Sequence, residues 1–187
     1  RHSEPLQVEL LKLMTLMMEF LPQEMAGSRR ELLKFGWDNI KKDWDLVSKH
    51  WAYVNLCKFI SMYSTPLLLV LQVYVALLRT HQPEVKELVR VALDILVPAL
   101  PRRLGPQDML KCIKWTRKIM YEESHMMTHL IHIWHMVVRH PAIFYPYRGQ
   151  FLQQVVTHLP RLGLQHNCPF EQRALSVALS DVVLAWE

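Results

Sequence analysis

The stretch "QPEVKELVRVALDIL", Gln82–Leu96, decides the fold. Proline stands near its start, where its missing N–H costs nothing because the first helical turn leaves that donor unpaired anyway. Behind it Val85, Leu88, Val89, Ala92, Leu93 and Leu96 recur at three- and four-residue steps, which gathers them on one face of a helix.

The same opening returns along the chain. Thr65-Pro66, Gly105-Pro106, Tyr145-Pro146 and Cys168-Pro169 repeat the Gln82-Pro83 step, each ahead of an apolar pattern of helical period. Further helix starts near Pro5, Ser28, Trp44 and Ser124 bring the number to nine. Every second start is then nearly the same distance away. The steps are 39 residues from Pro5 to Trp44, 38 from Ser28 to Pro66, 39 from Trp44 to Pro83 and 40 from Pro66 to Pro106. They continue at 41 from Pro83 to Ser124, 40 from Pro106 to Pro146 and 45 from Ser124 to Pro169. A two-helix unit of about forty residues is the period of HEAT-type repeats. One such pair cannot bury its apolar face alone, so neighbours must stack and share a core. The expected fold is all-α: an α-solenoid of HEAT-like antiparallel helix pairs, about nine helices in a single stretch over residues 1–187. The most turn-like linkers are "LPRRLGPQD" (Leu100–Asp108) and "LGLQHNCPF" (Leu162–Phe170).

Composition agrees with a packed helical chain. Half of the residues are hydrophobic (51%), and only five are glycine, which argues against a sheet built on tight turns and against disorder. Cys57, Cys112 and Cys168 are odd in number and lack CxxC spacing, which fits a reducing compartment where thiols serve as small hydrophobes. The longest apolar run, "PLLLVLQVYVALL", is interrupted by Gln72 and short for a bilayer span. Without an initiator Met or a helix stop after "VLAWE", the chain reads as a piece of something longer.

Candidate chemistry is sparse. The net charge of +5 permits an acidic partner, but most basic residues are scattered. Lys111, Lys114, Arg117 and Lys118, at i, i+3, i+6 and i+7, form one basic helix face. Such a face is either ordinary solvated surface or a docking surface for an acidic protein segment or a nucleic acid. The run "HMMTHLIHIWHMVVRH", His125–His140, holds five histidines. At about 100° per residue, His125, His129, His132, His135 and His140 share one side with Thr128 and Arg139. Opposite lie Met126, Met127, Leu130, Ile131, Ile133, Trp134, Val137 and Val138, and only Met136 intrudes on the polar side. A structural zinc wants four ligands and a catalytic one three plus water, whereas the one carboxylate alongside is Glu122 and Arg139 adds positive charge. The run therefore reads as the polar side of a repeat helix, with His135 in water and His125 and His140 packed. Glu122 and Glu123 are adjacent and point about 100° apart, so they cannot share a substrate. No P-loop, GxSxG, HExxH or GxGxxG occurs. Trp37, Trp44, Trp51, Trp115, Trp134 and Trp186 sit at helical spacing among aliphatics and are expected in the core. The expectation is a non-enzyme with no catalytic, cofactor-binding or metal residues.

Six strings taken in order carry a resemblance. They are "RRELLKFGWDNIK" (Arg29–Lys41), "QVYVALLRTHQPEVKELVRVALDILVPALPRR" (Gln72–Arg103), "KWTRKIMYEESH" (Lys114–His125), "VVRHPAIFYPYRGQF" (Val137–Phe151), "RLGLQHN" (Arg161–Asn167) and "LSVALSDVVLAWE" (Leu175–Glu187). Together they resemble the helical-repeat region of the TRRAP family, very large transcription-associated scaffolds. This chain has Ser124 where members carry Gly, and Ala178 where they carry an acidic residue. The resemblance implies a protein laid out like the phosphatidylinositol-3-kinase-related kinases, with a kinase-like domain lacking catalytic residues far downstream. It implies a nuclear, non-catalytic coactivator subunit shared by histone acetyltransferase complexes. Its partners would be transcription activators and other subunits of those complexes, with no direct nucleic acid, membrane or small-molecule substrate. The alternatives are a nucleic-acid-binding repeat using the Lys111–Lys118 face and an unrelated HEAT-repeat transport or scaffold protein.

Overall fold

The computed structural model describes residues 4–42 and 45–187, and all regular structure among them is helical. The helices fall into two compact units, Arg1–Gly105 and Pro106–Glu187. The first holds α1 (Glu4–Phe20), α2 (Arg29–Lys41), α3 (Leu46–Met62), α4 (Leu67–Leu78), α5 (Lys86–Leu96) and the single turn α6 (Leu100–Arg103). The second holds α7 (Pro106–Glu122), α8 (Met127–Arg139), the single turn α9 (Pro141–Phe144), α10 (Leu152–Gly163) and α11 (Phe170–Ala185).

Seven of the nine expected starts lie within three residues of an observed one. The proline signal works by two routes. Pro106 is the first residue of α7, whereas Pro66 and Pro169 are extended residues just outside α4 and α11, with ψ of 136° and 147°. The start at Trp44 lies outside the described residues; α3 follows the cap Asp45, whose carboxylate accepts from the backbone N–H of Val47 and Ser48. Pro146 is a correction. It sits in a 3-10 run, Tyr145–Gln150, and α10 begins only at Leu152. Proline fits the first turn of either helix type, because both leave that N–H unpaired. What fixes the 3-10 run is the buried pair Phe144 and Phe151 at its two ends, packed edge to face with ring centroids 5.8 Å apart. A second correction falls on "LPRRLGPQD". Its first four residues form α6, anchored by buried Leu100 and by Arg103, which donates to the Ser61 carbonyl at 2.6 Å.

Within the first unit α3 is covered by α1, α2 and α5. Ala52, Val54, Leu56, Cys57, Phe59 and Ile60 are all buried, so α3 has no single apolar stripe. Its buried polar side chains find partners both within the helix and on its neighbour. His50 Nδ1 lies 2.7 Å from the Leu46 carbonyl, and Asn55 donates to α1. From α5, five of the six expected core residues are buried, Leu88 being half-exposed.

The forty-residue period is written directly in the hydrogen bonds between like helices. Asn55 Nδ2 donates to Thr15 Oγ1, Tyr63 Oη to the Pro22 carbonyl and Arg103 to the Ser61 carbonyl, spanning 40, 41 and 42 residues. In the second unit Arg161 reaches the carbonyl of Ser124, 37 residues back, and Trp186 Nε1 that of Pro141, 45 back. Each bond joins residues one repeat apart, which is the stacking the period requires.

Candidate functional site

The basic helix face exists on α7, but the structure divides it. Lys111 is committed to Asp108, one turn earlier, at 2.8 Å. Lys114, Arg117 and Lys118 instead line a cleft of about 300 Å³ with Tyr121 of α7 and with Gln153 and Gln154 of α10. Lys114 is exposed, and Lys118 stands over the Trp115 ring at 4.7 Å with an exposed partner, Glu122, at 3.7 Å. Arg117 donates through one terminal nitrogen to Gln150 Oε1. Its Nε, and Oε1 of Gln154, are buried without a hydrogen-bond partner. Tyr121 is 78% exposed at the cleft's edge. Sequence reasoning found the lysines from their spacing on one helix. It missed Gln153, Gln154 and Tyr121, because the glutamines come from the next helix layer and nothing in the α7 pattern refers to them.

The histidine run takes a different form from its helical wheel. α8 begins at Met127, so His125 precedes it and is exposed rather than packed, while His135 and His140 are both half-buried. Met136, the apparent intruder, is fully buried, as are Leu130, Ile133, Trp134 and Val137. α11 and α10 both pack on α8, so its buried arc is wider than one stripe. His129 Nδ1 lies 3.0 Å from Glu123 Oε2, not from Glu122. Among the described residues no three His, Cys, Asp or Glu side chains come together as metal ligands.

Two histidines outside the run have an altered environment: burial lowers the pKa of His50 in α3 and, more strongly, that of His158. His158 of α10 is buried and accepts from Trp134 Nε1 at 3.3 Å, with the rings edge-on at 5.7 Å. Burial lowers its pKa to about 4, and the nearby Arg161 pushes in the same direction. The signal was present in the sequence, since Val155, His158 and Leu162 share one helix face.

The tryptophans also divide. Trp134 and Trp186 are buried, while Trp37, Trp51 and Trp115 are half-buried with Lys41, Lys12 and Lys118 over their rings at 5.5, 5.0 and 4.7 Å. Trp44 lies outside the described residues. The buried thiols are inert small hydrophobes: burial pushes Cys57 far up and Cys112 up to about 12. No described helix is long and apolar enough to cross a membrane.

Comparison with known proteins adds lineage to this geometry. Residues 1–187 match a family model described as the Tra1 HEAT repeat ring region. The chain is 43% identical over its whole length to a probable transcription-associated protein 1 of Dictyostelium discoideum. It is 34% identical over 98% of its length to a human transformation/transcription domain-associated protein. It is 30% identical over its whole length to a Saccharomyces cerevisiae protein named as a subunit of the SAGA complex and the NuA4 acetyltransferase complex. The chain spans only 4%, 5% and 5% of these three relatives.

Proposed function

The chain belongs to the Tra1 HEAT repeat ring family, and on that premise we propose that it is a non-catalytic scaffold segment of a nuclear transcription coactivator. In this reading it is one continuous α-solenoid stretch within a subunit shared by histone acetyltransferase complexes. It holds shape and offers surface to activators and sister subunits. The observation that carries the proposal is the set of side-chain bonds one repeat apart within each unit, Asn55–Thr15 in the first and Trp186–Pro141 in the second, combined with relatives named for transcription and for acetyltransferase complexes. Helical-repeat stacks of this kind work through extended surface rather than an enclosed pocket.

The test is purification of the intact tagged protein from nuclei. Acetyltransferase subunits and acetyl transfer to nucleosomes should accompany it at near-stoichiometric yield. Recovery without either would overturn the proposal.

A further inference from the structure

The connection between α3 and α4 holds the one place where the chain sets a hydroxyl directly before a proline, Thr65-Pro66. We propose that Thr65 is a phosphorylation site for a proline-directed Ser/Thr kinase using ATP. In the transfer Thr65 Oγ1 bonds to the γ-phosphorus of ATP, and the bond from that phosphorus to the β,γ-bridging oxygen breaks. ADP leaves, and the hydroxyl proton passes to the kinase's catalytic carboxylate.

The sequence sets the kinase class. Of the eleven prolines only Pro66 follows a serine or threonine. Proline has no N–H, so a groove that accepts it after the reacting residue makes no hydrogen bond there and selects for its fixed φ. The backbone sets the presentation. Residues 64–66 lie in no helix, Tyr63 before them has φ −125° and ψ 151°, and Pro66 has φ −57° and ψ 136°. The segment is therefore already extended, as a kinase groove requires of its substrate, and no helix has to open. Other hydroxyls lack this presentation. Ser48, Thr116 and Ser176 are buried, and Ser61, Thr157 and Ser180 sit inside helices, bonded to carbonyls three or four residues back. Thr65 Oγ1 donates to the Tyr63 carbonyl at 3.0 Å, a bond between near neighbours that opens without disturbing another element. Ser64 and Pro66 on either side are exposed, and Thr65 is half-buried. The position in the stack keeps the segment accessible, because connections gather at the edge of a repeat stack and not on the faces that neighbouring repeats cover. Tyr63 Oη reaches the Pro22 carbonyl in the connection one repeat earlier, and Arg103 at the end of α6 donates to the Ser61 carbonyl. The phosphate would land beside α4, whose cap residue Pro66 brings no side-chain hydrogen bond and whose twelve residues carry no charge. There it supplies the acceptors that N–H groups at a helix start lack, with a charge that suits the positive end of the helix.

The experiment treats the intact protein in its full natural length with ATP, Mg²⁺ and a kinase of the cyclin-dependent class. Phosphate is mapped by tandem mass spectrometry of the tryptic peptide Phe59–Arg79, which holds Ser61, Ser64 and Thr65. It should sit on Thr65. Thr65→Ser should keep the modification and Thr65→Val should lose it. Pro66→Ala should lower it about tenfold or more, because the proline contact is what the kinase selects. A kinase that requires basic residues before its target should leave Thr65 unlabelled, since residues 61–64 are Ser, Met, Tyr and Ser. A synthetic peptide carrying Ser61–Leu68 is the control for sequence without fold. Phosphorylation should also slow amide hydrogen exchange in the first turn of α4 about two- to fivefold, the effect of a charge at a helix start, with no slowing in Thr65→Val treated the same way. Phosphate on Ser61 or Ser64 in place of Thr65, equal labelling of Pro66→Ala, or labelling of the peptide with none in the folded protein would each overturn the proposal.

Discussion

Asn55 Nδ2 donates to Thr15 Oγ1 at 3.1 Å, and the two residues are 40 apart in the chain. Both are buried in the seam between α3 and α1, and Thr15 Oγ1 in turn donates to the Leu11 carbonyl at 2.7 Å. A polar relay in an otherwise apolar seam fixes register, because a slip of one helical turn would leave Asn55 buried without partners.

Asn55→Ala should therefore lower unfolding free energy by about 2 kcal/mol, through the lost bonds and the space left behind. Thr15→Val should cost less, about 1 kcal/mol, and the double variant less than the sum because the residues share one interaction. Chemical denaturation of the four proteins in this cycle measures it. Additive losses would show that the two residues act independently.

Helix crossings in both units depend on a glycine. A Cβ on Gly36 would stand 2.7 Å from Leu56 Cδ2, and one on Gly163 would meet Ser176 Oγ and come within 2.9 Å of Ser176 Cβ. Gly163→Ala should destabilise by about 1–3 kcal/mol, the range for overpacking, despite the better helix propensity of alanine. Ser176→Gly in the same chain removes both opposing atoms and should restore part of that loss. Thermal melts of the single and double variants decide it, and no rescue would mean that the crossing is set elsewhere.

His158 makes stability depend on pH. Its folded pKa is lowered to about 4, mainly by burial, from an ordinary value of 6.5. The unfolded chain then takes up a proton that the folded chain refuses. The stabilisation is fully present above pH 6.5, is lost as pH falls toward 4, and levels off below that. Across this window the loss is about 3 kcal/mol at most, from 1.36 kcal/mol per pKa unit. His158→Gln keeps an acceptor for Trp134 and removes the titration, so its stability should be flatter over the same window. Urea midpoints between pH 7 and pH 4 for the two proteins check this.

Much of this fold was legible because proline and apolar spacing are local signals. The start at Pro169 was found to within one residue, since Pro169 and the α11 pattern are adjacent in sequence. Pro146 misled because its ring fits a 3-10 turn as readily as an α-helix, and the choice was made by Phe144 and Phe151 meeting in space. The site was half legible for the same reason. Lys114, Arg117 and Lys118 share one helix, but Gln154 joins them only through the packing of α10 on α7. His125 is exposed rather than packed because α8 begins after it, and His135 is half-buried rather than in water because two helices cover α8. Ser124, where the resemblance led us to expect glycine, carries no backbone strain: no described non-glycine residue has positive φ.

The forty-residue register underlies both the fold and the scaffold reading, and one ion pair reports it directly. Lys58 Nζ lies 3.2 Å from Glu19 Oε1, a separation in sequence of 58 − 19 = 39 residues. Zero-length carbodiimide coupling of the folded protein, followed by tryptic mapping, converts such a pair into an amide bond. The stacking of α3 on α1 one repeat apart requires Lys58 to be recovered joined to Glu19. Recovery of Lys58 joined to another carboxylate instead, such as Glu31 of α2, would contradict it.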